Sequence, residues 1–216
     1  MDRIEFSRVT VVSWDIDGTL YDLHRLMSAF KLDLFRRMLS LEWVAAWRDF
    51  FRLLRFKRFM DRVRRAKGDY AVGTVPKRAA IAETQDEMYG RILPSIGELE
   101  GVRELLEWIE SVGIRQVAFS DYRPSTKLSA LNLQGHFSRV YAGEDLGHLK
   151  PAREAFEAML SDLGVSPDGL LHIGDRVDTD GAAAPVVGFQ AAIIGHDFES
   201  ANDLLQHLQS QTPPKD

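Results

Sequence analysis

The chain has 216 residues, 45% of them hydrophobic, enough to fill one large domain or a catalytic domain carrying a smaller insert. No apolar run approaches the roughly 18 residues that cross a bilayer, the polar and acidic start MDRIEFSRVT does not read as a secretory leader, and the absence of cysteine excludes disulfide frameworks and thiolate metal sites. A cytoplasmic location is the default expectation. The formal net charge of −5 is unevenly spread, because residues 24–69 hold 13 Lys or Arg against five Asp or Glu. Such segregation points to two regions with different tasks.

Taken in chain order, VTVVSWD (9–15) is a short apolar, β-branched run that ends in a carboxylate, with Gly18 close behind. It reads as a buried strand feeding a loop. The next stretch, about 22–93, is of another kind. Leu23, Leu26, Met27, Phe30, Leu34, Met38 and Leu41 recur at helical spacing, and Trp47, Phe50, Phe51, Leu54, Phe59 and Val63 follow among many arginines. KGDYAVGTVP (67–76) interrupts the pattern, and a helix resumes over 77–93, up to Pro94. This segment is expected to form an all-helical second domain.

Beyond it, 98–113 sets Leu99, Val102, Leu105, Leu106, Ile109 and Val112 on one helical face and stops at Gly113. IRQVAFSD (114–121) is a second apolar strand ending in small and acidic residues, RVYAGED (139–145) a third, LLHIGD (170–175) a fourth and QAAIIG (190–195) a fifth. Helical patterns over 124–133 and 151–163 each begin with proline, whose missing N–H costs nothing at a helix start. Strands alternating with helices indicate an α/β fold with a parallel sheet. In such sheets ligands bind beyond the carboxyl ends of the strands. Three of the strands end in Asp15, Ser120–Asp121 and Asp175.

Asp15 and Asp17 in DIDGTL (15–20) can converge on one site if the chain turns at Gly18. Carboxylates are hard oxygen ligands suited to magnesium, and an aspartate can attack phosphorus to give an aspartyl-phosphate. An Asp- and Gly-built turn or helix cap is the plainer use of such a tract. Ser120 can donate to a phosphate oxygen or merely cap a helix. Lys150, just before a helix, can neutralise a phosphate, although a lone lysine is ordinarily solvated. Gly174 to Gly181 breaks a strand into a loop bearing Asp175, Asp178 and Asp180, whose mutual repulsion a bound cation would resolve. It lacks the glycine and distal glutamate of an EF-hand calcium loop.

Together these four motifs, spread over residues 9–195, resemble those of the haloacid dehalogenase superfamily: DIDGTL (15–20), Ser120, Lys150, and Gly174 to Asp180. FSDYRPSTKLSAL (119–131) and HIGDRVDTDGAAA (172–184) look most like the phosphoglycolate-phosphatase-like branch. The resemblance implies a Rossmann-like core, 1–21 with 94–216, and a helical cap, 22–93. It further implies Asp15 as nucleophile and Asp17 as the acid that protonates the leaving oxygen and then the base that activates water. Mg2+ would be held by the Asp15 carboxylate, the Asp17 backbone carbonyl and Asp175, with Asp180 one water further out. Ser120 and Lys150 would bind the phosphoryl group. Asp121 departs from the asparagine common at that place; it is expected to point away or to pair with a cation such as Arg123.

The expected activity is magnesium-dependent hydrolysis of a small phosphorylated metabolite, with no nucleic-acid partner and the oligomeric state open. A phosphomutase and a binding module with a relict site are the alternatives. A carbon–halogen hydrolase would lack Asp17 and the acidic loop. A phosphonate hydrolase would need a Schiff-base lysine from the cap, and nothing singles out Lys31, Lys57, Lys67 or Lys77. The basic insert reads either as a solvated surface, as a device that draws anionic substrates, or, over Trp43 to Arg65, as a surface for an anionic membrane or a protein.

Overall fold

The computed structural model describes residues 4–40, 43–65 and 79–212, and their side chains except at 56, 57, 59–65 and 79–83. Its strands are β1 (Val11–Trp14), β2 (Arg115–Ser120), β3 (Arg139–Ala142), β4 (Leu170–Gly174) and β5 (Gln190–Ile193). They pair in parallel in the order β3-β2-β1-β4-β5. Helices on both faces explain why these strands read as unbroken apolar runs rather than alternating ones. The period of two survives in which side each residue serves. Val12, Trp14, Ala118, Leu171 and Ile173 join one buried cluster, whereas Val11, Val117, Phe119 and Leu170 join the other.

Between β1 and β2 run first α1 (Leu23–Met38), α2 (Trp43–Arg65) and α3 (Ala79–Ile96), and no strand lies among the described residues of this insert. After them come α4 (Val102–Ser111), α5 (Ser125–Ala130), α6 (Gly143–Leu146), α7 (Arg153–Leu163), α8 (Ala184–Val187) and α9 (Ala201–Gln211). Val102, Leu105, Leu106 and Ile109 of α4 are completely buried on the first face with Leu204 and Leu208 of α9. Phe156, Met159, Leu160 and Leu163 of α7 fill the second face.

Several boundaries differ from expectation. Helix α3 runs through Pro94 to Ile96, because a proline in the last turn removes only one hydrogen bond near an end that Gly97, at φ 72°, then closes. Strand β3 stops at Ala142, where Gly143 opens a helical turn. Pro124 and Pro151 stand outside α5 and α7 rather than inside their first turns. The expected break at 67–76 and Leu41 lie outside the described residues.

Asp22 caps α1, its carboxylate accepting from the Arg25 N–H at 2.9 Å. Leu26 and Leu34 face inward from α1, and a 3.1 Å ion pair from Arg37 to the buried Asp49 ties α1 to α2. Outward the hairpin presents Phe35, Leu39, Trp43, Trp47 and Phe51, with Leu39 at its turn 74% exposed. The last turns of α3 return to the sheet, where Met88, Ile92 and Leu93 join the cluster that holds Trp14, Ile16 and Tyr21. No described helix is long and apolar enough to cross a membrane.

Candidate active site

Asp15 follows the last residue of β1, the central strand, and its N–H donates to the Ile173 carbonyl of β4 at 2.8 Å. Asp175 follows β4 directly, and Ser120 is the last residue of β2. The carboxyl edge of the sheet therefore gathers Asp15, Ser120 and Asp175 side by side, with Ser120 buried. Gly18 allows the convergence twice over. Its φ of 98° suits glycine, and a Cβ there would come within 2.2 Å of the Asp175 carboxylate. Thr19 steadies Asp15, its hydroxyl donating to Oδ2 at 3.1 Å.

Carboxylate oxygens of Asp15, Asp175 and Asp180 lie within 4.8 Å of one another. Lys150 reaches into this group, its Nζ 2.5 Å from Asp15 Oδ1 and 2.6 Å from Asp180 Oδ1. Asp121 helps to place it: the Asp121 carboxylate accepts the Lys150 backbone N–H at 2.7 Å, while the Arg123 guanidinium reaches Asp145. Of the three acids in the loop after β4, Asp178 pairs outward with Arg176, and only Asp175 and Asp180 face the site. Asp17 turns elsewhere. Its carboxylate receives Lys127 Nζ at 2.7 and 2.5 Å and also the Tyr21 hydroxyl.

These placements set the charges. Burial raises the Asp15 carboxyl to about 8 despite Lys150, with Asp180 and Asp17 adding to the rise. Asp175 is raised to about 6, first by burial and then by Asp180. Burial also works against an ionised Asp180, but Lys150 and the His172 hydrogen bond overcome it and hold the carboxyl well below its usual range. For Asp17 the desolvation is outweighed by Lys127 and Tyr21, so it stays ionised. His172, fully buried on β4, is kept neutral mainly by desolvation.

Were all three carboxyls ionised, three negative charges would face the single ammonium that pairs with Asp15 and Asp180, and the raised Asp15 and Asp175 carboxyls show how far that ionisation is resisted without a cation. Oδ1 of Asp175 is buried with no hydrogen-bond partner among the described residues. An orphaned carboxylate oxygen beside two others is a hard, anionic donor set, which fits a divalent cation such as magnesium. With its carboxylate engaged by Lys127 and Tyr21, Asp17 is left its backbone carbonyl as the atom that the resemblance assigns to the metal.

Sequence reasoning missed Lys127, Tyr21, His172 and Ser13. Ser13 Oγ lies 2.7 Å from His172 Nδ1, and His172 Nε2 lies 3.2 Å from Asp180 Oδ1. A signal existed for His172 and for Ser13, each a polar residue inside an apolar strand.

The sequence profile of the haloacid dehalogenase-like hydrolases matches residues 9–188. Protein CbbY of Rhodobacter capsulatus is 25% identical over 203 residues, covering 88% of this chain and 87% of its own length. Among solved structures, the HAD phosphatase from Thermococcus onnurineus superposes with a TM-score of 0.62 at 22% identity, over 86% of each chain. The HAD-hydrolase YfnB from Bacillus subtilis, solved bound to magnesium, gives a TM-score of 0.66 at 16% identity, over 93% of this chain and 99% of that one. By this match and by its fold, the chain belongs to the haloacid dehalogenase-like hydrolases.

Proposed function

We propose that this hydrolase is a magnesium-dependent phosphatase that cleaves a small phosphorylated metabolite through an aspartyl-phosphate on Asp15, with the helical insert 22–93 acting as its cap. The observation that carries the reading is the trio of buried Asp15, buried Asp180 and half-buried Asp175, with Lys150 bridging the first two and one Asp175 oxygen unpartnered among the described residues. Magnesium, when bound by Asp15, Asp175 and the Asp17 carbonyl, supplies positive charge against the equatorial oxygens of the transferred phosphoryl group.

Asp15 forms the new O–P bond as the ester's O–P bond breaks. Asp17 gives a proton to the departing alkoxide, then takes one from the water that attacks phosphorus; that attack breaks the bond to Asp15, and the proton leaves with the inorganic phosphate, so both aspartates return to their carboxylates. Because Lys127 holds Asp17 ionised at rest, the proton it passes on arrives with the substrate, as the monoanion of a phosphate ester carries one. Lys150 and Ser120 receive the phosphoryl oxygens. A carbon–halogen hydrolase makes no use of Asp17 or of a charge-balancing cation, so the acidic trio favours the phosphatase.

Purified protein assayed against a panel of phosphorylated metabolites, with magnesium and with a chelator, tests this. Phosphate release that needs magnesium and vanishes in Asp15→Asn is the expected result. Release of chloride from a 2-haloacid, or isomerised hexose phosphate without free phosphate, would replace the reading.

A further inference from the structure

Behind Asp17 lies a group of side chains that the chemistry above leaves unassigned. Lys127 is buried on α5, and its ammonium reaches both carboxylate oxygens of Asp17. The Tyr21 hydroxyl donates to Oδ1 of the same carboxylate. On its other side the ammonium sits 4.7 Å from the ring centroid of Tyr89, on α3 of the insert. The Lys127 side chain is 5% exposed and that of Asp17 is 35% exposed, so the carboxylate stands between the lysine and the open side.

Burying an ammonium is costly, and this one is compensated by a single carboxylate and an aromatic face. An aspartate at a strand end has two free torsions. A cation bridging both oxygens fixes the plane of the carboxylate, and a hydroxyl on one of them fixes its tilt. The site therefore divides two lysines between two tasks, Lys150 on Asp15 and Asp180, Lys127 on Asp17 alone.

We propose that Lys127, assisted by Tyr21, is a positioning residue that holds the Asp17 carboxylate at the angle needed for proton transfer, and that Tyr89 makes this placement depend on where α3 sits. The inference rests on reading Asp17 as the acid–base group. Lys127→Met keeps the length and removes the cation, and Tyr21→Phe removes one hydrogen bond with almost no change of shape. Both are compared with the unaltered protein on phenyl phosphate and p-nitrophenyl phosphate, which have similar shapes but differ in how much the leaving group needs a proton.

With Lys127→Met, kcat on phenyl phosphate falls on the order of 10²-fold or more, kcat on p-nitrophenyl phosphate falls less than about tenfold, and KM stays within about threefold on both. Tyr21→Phe shows the same asymmetry at smaller size, and stands alone if the methionine variant does not fold. Equal losses on the two esters, or none, would overturn the proposal. A crystal structure of the folded variant supplies an arm independent of activity: Asp17 turned away from its original rotamer supports positioning, and an unmoved Asp17 refutes it. If the unaltered protein releases phosphate neither from these esters nor from the metabolite panel, the phosphatase reading falls and this structural arm decides the role of Lys127.

Discussion

Asp15, Asp175 and Asp180 each belong to a short tract at or beyond a strand end, and that locality made them legible from sequence. Lys127 was not, because its meaning comes from Asp17, 110 residues away, and a lysine in a six-residue helix reads as solvated. The charge at the trio leads to a test of metal binding. The Asp175 carboxyl, raised to about 6 by burial and Asp180, holds a proton in the folded metal-free protein that the unfolded chain releases near 3.9. That contribution to stability is complete below about pH 4 and is lost as pH rises through 6. A divalent cation offsets the loss above pH 6 and competes with the proton below it. Thermal melts with magnesium and with chelator should therefore separate more at pH 8 than at pH 5; equal separation would deny the linkage. Gly18→Ala, whose Cβ lands on the Asp175 carboxylate, should weaken magnesium binding measured by calorimetry. Asp15→Asn should cut kcat on the order of 10³-fold or more with the fold intact by circular dichroism.

At the scale of elements, the five strands were visible because burial on both faces makes a parallel strand a continuous apolar run. Helix ends were harder to read. A proline in the last turn of α3 looked like a stop, yet packing of Ile92 and Leu93 into the main cluster carries the helix past it. The link between β1 and β4 lay beyond any local pattern. The Asp180 carboxylate can only accept, so His172 presents Nε2–H to it and takes the Ser13 O–H on Nδ1. Ser13→Ala leaves that buried nitrogen without a donor and should cost about 1–3 kcal/mol, read as a lowered denaturant midpoint. His172→Phe fills the space among Phe119, Phe156 and Phe189 but removes the bond to Asp180. It should lower magnesium affinity more than it lowers stability.

At the scale of the whole molecule, the charge division between a basic insert and an acidic remainder was read directly from the residues. What the insert's aromatic faces meet was not, since periodicity marks both a buried and a solvent-facing stripe. Trp47 and Phe51 stack on each other at 5.7 Å on the exposed side of α2. If the arginines draw anionic esters toward the sheet edge, KM should rise between about 0.02 and 0.3 M salt while kcat holds, because screening shortens to within ~10 Å over that range. The convergence of four distant stretches on one cation is tested most directly by a crystal structure grown with magnesium and beryllofluoride, a phosphoryl mimic. Density for beryllofluoride on an Asp15 oxygen, facing Ser120 and Lys150, with magnesium between Asp15 and Asp175, is the predicted result. Magnesium held elsewhere, or beryllofluoride bound away from Asp15, would contradict it.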